Sequence, residues 1–370
     1  HGKDGVKNLW LEARKENDFG IVKEEFKELV KLERQYAQKI LELESRDENP
    51  YKVLFEQYEP DIPLEKVEEL FDQLKNDIQD LLEKLDIPDD QKTISDFEEL
   101  SKLVEKTEEL HDEIVFELLQ GDHDSILVKE GFYGMERGDA LTSGMNVNSD
   151  QSWPKAVGTT VHEFGHVDYR SYLPEEFVFL PLGEPAGDTI DEACARLWQI
   201  HVGHSRYFCN QIADIVKEYG IEVNPDNLFD AVNSIRLSNS SRINADELTY
   251  HLHVIARFEL EKELINGEIE VEELEDAWDE KMNDNFPQYS SSIAISEKFL
   301  QDPHWGKGKF GYYPTYSTGQ LAATQIFQAA KSHINDLETK LADGDYIVLS
   351  EWLRDNLYQH GNRYSTQELI

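Results

Sequence analysis

Thr159-Thr160-Val161-His162-Glu163-Phe164-Gly165-His166-Val167-Asp168-Tyr169 carries the pattern on which the reading of this chain turns. Histidines four residues apart share one face of a helix, so both imidazoles can reach a single tetrahedral ion. Glu163 then lies beside the open coordination position, where it can take a proton from water and pass it to a leaving amine. No Pro interrupts Val157 to Tyr169, which predicts a buried helix. The bland alternative is two histidines that merely pack.

A catalytic zinc takes three protein ligands. The next predicted helix offers Glu184, Asp188, Asp191 and Glu192. Spacing alone does not choose among them. Ala193 and Ala195 would let that helix approach the first closely, which favours Glu192, and the other three have ordinary uses as caps or surface carboxylates.

Outward from the motif, the chain of 370 residues is 39% hydrophobic and 11% aromatic, enough for a large core in one domain or two joined ones. The balance of 36 basic against 76 acidic residues, a net charge of -40, argues against a nucleic-acid or anionic-membrane partner. The same charge suits a protein kept soluble in concentrated salt, where screening removes self-repulsion. Cys194 and Cys209 are too few for a disulfide framework and lack zinc-knuckle spacing, so both read as buried, reduced thiols. No apolar run approaches the ~20 residues of a membrane span. The start, His1-Gly2-Lys3-Asp4, has no signal pattern, so a soluble, cytoplasmic protein is expected, and a first residue other than Met reads as a processed or excised chain.

Apolar spacing of three and four predicts helices over 21–43 and 64–85, and Ser95 with Glu98 opens a third to about Leu119. Glycines 121, 131, 134, 138 and 144, interleaved with short apolar pieces, predict a hairpin or three-stranded sheet within 121–154. Helices resume over about 156–172, 187–204, 206–219, 227–234, 245–266, 271–285 and 321–342. The expected division is a helical scaffold over 1–120 and a catalytic region over 121–370, joined in one continuous unit.

With these residues assembled, the region from Thr159 to about Ala330 resembles the thermostable Taq-type metallocarboxypeptidases, which remove C-terminal residues from peptides. HEFGH, LPEEF, PLGE, IDEACARLW and VGHSR are similar to that family's metal helix, linker and third-ligand helix in order. The resemblance implies Glu192 as third ligand. Ser241-Arg242-Ile243-Asn244-Ala245-Asp246 resembles its IRxxAD motif, and Gln301-Asp302-Pro303-His304-Trp305 its GxxQDxHW, with Lys298 where the family has Gly. Three motifs depart: Gly131-Phe132-Tyr133 stands at HPF, Asp139 to Ser143 at DxRxT, and Asp191 at the His of HES. The family's N-terminal helical segment is expected to be missing.

The resemblance implies a mostly α, zincin-like body with a deep groove and a small sheet beside the active site. It implies Zn2+, with Co2+ as an alternative, peptide substrates with a free C-terminus, and a homodimer. Arg242 is the expected anchor for the terminal carboxylate, because its planar fork binds both oxygens; an ion pair with Asp246 is the structural alternative. Tyr312 and Tyr316 are both candidates to donate to the developing oxyanion. His304 and His253 read as substrate contacts or as hydrogen-bonded core residues, and His201 and His204 as surface residues. Departures at the recognition motifs leave dipeptidyl or internal cleavage, or an inactive peptide-binding relative, as alternatives to carboxypeptidase action.

Overall fold

The computed structural model describes residues 3–87, 113–120, 126–130, 143–147, 153–235, 237, 241–286 and 289–370. Helices α1 (Lys3–Glu16), α2 (Lys23–Glu44), α3 (Pro50–Phe55) and α4 (Leu64–Lys84) come first. Strands β1 (Ile126–Glu130) and β2 (Ser143–Val147) precede α5 (Trp153–Ser171), α6 (Asp188–Arg196), α7 (Arg206–Glu218) and α8 (Pro225–Val232). The chain continues through α9 (Thr249–Asn266), α10 (Leu274–Asn285), α11 (Pro314–His333), α12 (Leu337–Ala342), α13 (Ile347–Asn356) and α14 (Thr366–Leu369).

Local chemistry explains several helix ends. Asn49, Ser205 and Asn224 each accept backbone N–H groups at the starts of α3, α7 and α8. Asp246 accepts from the Leu248 and Thr249 N–H groups, so the helix expected from 245 begins at Thr249 instead. The single helix expected over 321–342 is two, broken at Asp336, whose left-handed backbone (φ 56) stops one and starts the other. Residues 197–203 leave the α-helical path of α6 and form a wider π-helical turn, where sequence spacing predicted one continuous helix. Of the helix expected from Ser95, residues 95–112 lie outside those described, and Glu113–Leu118 is again a π-helical turn.

The hairpin expectation is corrected. β1 and β2 pair in parallel, with Ile126 opposite Ser143 and Glu130 opposite Val147, and a hairpin joins antiparallel strands only. No third strand is found among the described residues, and the rest of 121–152 lies outside them.

The residues group into two compact units that interleave in sequence, which differs from the expected division at residue 120. One comprises His1–Ile87 with Ile235–Ser317, the other Pro88–Ser234 with Thr318–Ile370. In the first, α9 is buried over most of its surface, with Glu259, Lys262, Glu263 and Asn266 on its one partly exposed face, and it packs against apolar residues of α1 to α4 and α10. Trp10, Phe26, Trp278, Phe299 and Trp305 form its aromatic centre. Gly311 is required there twice over: its φ is +87, and a Cβ would lie 2.6 Å from the Phe55 nitrogen. In the second unit, α5, α6, α7 and α13 bury Phe164, Ile190, Cys194, Trp198, Phe208 and Leu353. Both cysteines are buried free thiols. No helix among the described residues is long and apolar enough to cross a membrane.

Candidate metal centre

The second unit brings His162 and His166 on α5 against Glu192 on α6. Glu192 Oε2 lies 3.9 Å from His162 Nε2 and 3.7 Å from His166 Nε2. A tetrahedral zinc with ordinary bond lengths sets its ligand atoms about 3.4 Å apart, so the two contacts to Glu192 need close by only a few tenths of an ångström around an ion, and all three ligand atoms already lie within 4.8 Å of one another. The close approach of the two helices depends on Gly165, where a Cβ would sit 2.6 Å from both Ala195 Cα and Cys194 O. Glu192 is nearly inaccessible, and behind it Gly319 leaves room: a Cβ there would meet the Glu192 Cβ and Cγ at 2.9 Å.

Of the other carboxylates considered, Glu184 is exposed and Asp188 half-buried in the first turn of α6. Asp191 takes a different part. Arg170 donates Nε and Nη2 to its two oxygens at 3.1 and 2.8 Å. Its Oδ2 is 3.2 Å from His166 Nδ1, although that contact is poorly directed for a hydrogen bond. Burial disfavours the charged form of Asp191, but His166 and Arg170 outweigh it and hold the carboxyl well below the usual range.

The electrostatics fit a cation. Burial pushes His162 well below the ordinary imidazole range, leaving a neutral ring whose lone pair can bind metal. At His166 burial acts in the same direction, yet Asp191, Glu163 and Glu192 outweigh it, so the field at this point favours positive charge. Glu163 is 8% exposed and has no hydrogen bond or ion pair among the described residues. Burial first, then Glu192 and Asp191, push it up to about 6. A carboxylate poised there can accept a proton near neutrality and release it again.

The first unit holds the remaining candidates. Arg242 pairs with Asp302 and not with Asp246: Nε and Nη2 reach Asp302 Oδ1 at 3.0 and 2.8 Å, and Nη1 donates to the Tyr250 hydroxyl. Those bonds use three of its five N–H groups. Arg257 donates to the other Asp302 oxygen at 2.6 Å, so two guanidiniums share one buried carboxylate. His304 Nε2 is 2.9 Å from the Tyr316 hydroxyl and Nδ1 is 3.3 Å from that of Tyr313. Burial, then Arg242, keep His304 neutral. The Tyr312 ring stacks on His304 at 5.8 Å. His253 is fully buried, its ring 4.4 Å from that of Phe286. His201 and His204 are not the surface residues expected: both are half-buried, and His201 stacks on Phe327 at 4.7 Å and 7°, with burial holding its pKa down to about 4.

Several contributors escape a reading of the sequence. Gly165 and Gly319 carry no chemistry of their own, and Gln199, which reaches His162, lies in the π-helical turn that follows Arg196. Arg196 was in principle visible, four residues after Glu192 on one helix face.

A fold of helices with this arrangement at the HExxH pair belongs to the helical metallopeptidases. Similarity to known proteins narrows the class. The chain is a member of the carboxypeptidase Taq (M32) metallopeptidase family, whose profile matches residues 3–370. It is 35% identical over 214 residues to thermostable carboxypeptidase 1 of Thermus thermophilus, a match covering 57% of this chain and 41% of that protein. Carboxypeptidase 1 of Bacillus subtilis is 26% identical over 373 residues, covering 99% of this chain and 72% of that one. The crystal structure of the M32 carboxypeptidase from Deinococcus radiodurans R1 superposes with a TM-score of 0.85 at 28% identity, over 99% of this chain and 73% of that one. The chain thus spans about two fifths of the Thermus protein and nearly three quarters of the other two. Residues 131–133 and 139–142, on which the expected departures from the HPF and DxRxT motifs fall, lie outside those described.

Proposed function

We propose that this chain removes C-terminal residues from peptides, with a divalent ion, Zn2+ or in its place Co2+, held by His162, His166 and Glu192. When bound, such an ion supplies Lewis acidity that makes water nucleophilic near neutral pH and polarises the scissile carbonyl. Everything else falls to the chain's own groups. Glu163 takes the proton of the attacking water and delivers it to the departing amine. The observation that carries the reading is this carboxylate, buried, without a protein partner among the described residues, and adjacent in sequence to a three-residue metal cage.

Arg242 is assigned to the terminal carboxylate of the substrate. Two guanidiniums around one carboxylate leave a buried surplus of positive charge, and a second carboxylate on the two remaining N–H groups of Arg242 would neutralise it. Local charge of this kind is needed where the whole chain repels anions. Tyr312 and Tyr316, which both lie against His304, are the two candidates to donate to the oxyanion. A homodimer is part of the same reading.

A peptide-ladder assay with free-acid and C-terminally amidated forms of one peptide tests the proposal. Stepwise loss from the free acid alone is expected, with kcat lowered at least about 100-fold in Glu163→Gln. Equal cleavage of the amidated form would replace carboxypeptidase action with internal cleavage, and hydrolysis that persists in Glu163→Gln would refute the role of that residue.

A further inference from the structure

Arg196 touches two of the three metal ligands, one directly and one through an intermediary. Its Nε donates to Glu192 Oε1 at 2.8 Å, which leaves Oε2, the oxygen that faces both imidazoles, for the ion. Its Nη1 donates to Gln199 Oε1 at 3.2 Å, and the same oxygen lies 3.0 Å from His162 Nδ1. Guanidinium nitrogens only donate, so the Gln199 atom that faces Arg196 has to be the carbonyl oxygen; the reversed amide would set N–H against N–H. That oxygen accepts only, so His162 Nδ1 has to carry the ring proton. Nε2 is then left with its lone pair, directed at Glu192.

We propose that Arg196 and Gln199 act as a relay that sets His162 in its metal-binding tautomer and turns Glu192 Oε2 inward before an ion arrives. The relay rests on the metal reading given above and adds two positioning residues to it. Its chemistry is specific in one respect: the partner of His162 is a neutral amide where a carboxylate would serve the same geometry with added negative charge. The cationic Arg196 fixes the amide's orientation, which an amide without such a donor would lack.

Three variants separate this from a packing role. Gln199→Leu removes the acceptor, Gln199→Glu keeps it, and Arg196→Met removes the group that orients it. Nitrogen-15 histidine NMR on protein freed of metal by chelator is expected to show His162 as the Nδ1–H tautomer in the parent and in Gln199→Glu, with Nε2–H gaining population in the other two. Zn2+ affinity, measured by competition with a chromophoric chelator, is expected to fall about 10- to 100-fold in Gln199→Leu and Arg196→Met and to be kept or increased in Gln199→Glu. Thermal unfolding midpoints identify any variant that fails to fold, and the remaining two still decide the matter. An Nε2–H tautomer in the metal-free parent, or parental zinc affinity in folded Gln199→Leu, would overturn the relay. A parent that binds no zinc at all would overturn the metal reading, while the tautomer measurement would still judge the relay separately.

Discussion

Buried ionisable residues decide how this protein responds to pH. Glu261, on α9, accepts from the Trp305 indole, the Gly311 N–H and the Tyr51 hydroxyl, yet burial pushes its carboxyl up to about 8 from an ordinary 4.5. The folded chain therefore holds a proton that the unfolded chain releases at lower pH, so this contribution to stability is complete below about 4.5 and is lost as pH rises through 8. Asp302 has the opposite sign. Burial works against its charge, but Arg242 and Arg257 hold it far below 3.8, so its contribution is complete above that value and lost under stronger acid. In excess chelator, the unfolding midpoint is expected to fall between pH 6 and 9, and Glu261→Gln to flatten that fall whatever its own cost. An unchanged slope in the variant would assign the effect elsewhere. At this scale much of the candidate site was legible: His162, Glu163 and His166 announce themselves by spacing, because a helix turns that spacing into geometry. Glu192 needed the resemblance, and the pairing of Arg242 with Asp302, sixty positions apart in the numbering, had no local signal.

Between elements, the governing fact is how closely α5 and α6 approach. Helix spans such as 23–44 and 64–84 follow from apolar periodicity, and the sequence placed both within a residue or two. Contact between helices is another matter, because it depends on what is absent from a side chain. The alanines of α6 hinted at a near neighbour; Gly165 completes the contact, and its neighbours Ala195 Cα and Cys194 O are backbone atoms that cannot swing aside. Gly165→Ala is expected to destabilise the protein by about 1–3 kcal/mol and to weaken zinc binding as Glu192 is pushed away. A variant with parental unfolding midpoint and zinc affinity would show that the helices have slack. The π-helical turn after Arg196 was illegible for a similar reason: residues 197–203 have ordinary helical periodicity, while their partners, such as Phe164 against Trp198 and Phe327 against His201, come from elsewhere in the chain.

At the scale of the molecule, sequence order and spatial grouping part company. The stretch 235–317 joins residues 1–87 because α9 needs apolar partners over most of its surface, and one-dimensional patterning shows the need without naming the partners. The composition, by contrast, was directly readable: a net charge of -40 draws cations and opposes anionic ligands, so a carboxylate substrate depends on local positive charge and a divalent ion is favoured at long range. All of this bears on the proposal that one ion is held by three side chains of the second unit. Anomalous diffraction at the zinc edge, from crystals of the zinc-loaded protein, tests that most directly. A single strong peak is predicted about 2.1 Å from His162 Nε2, His166 Nε2 and Glu192 Oε2; a peak elsewhere, or none at these three atoms, would contradict the account.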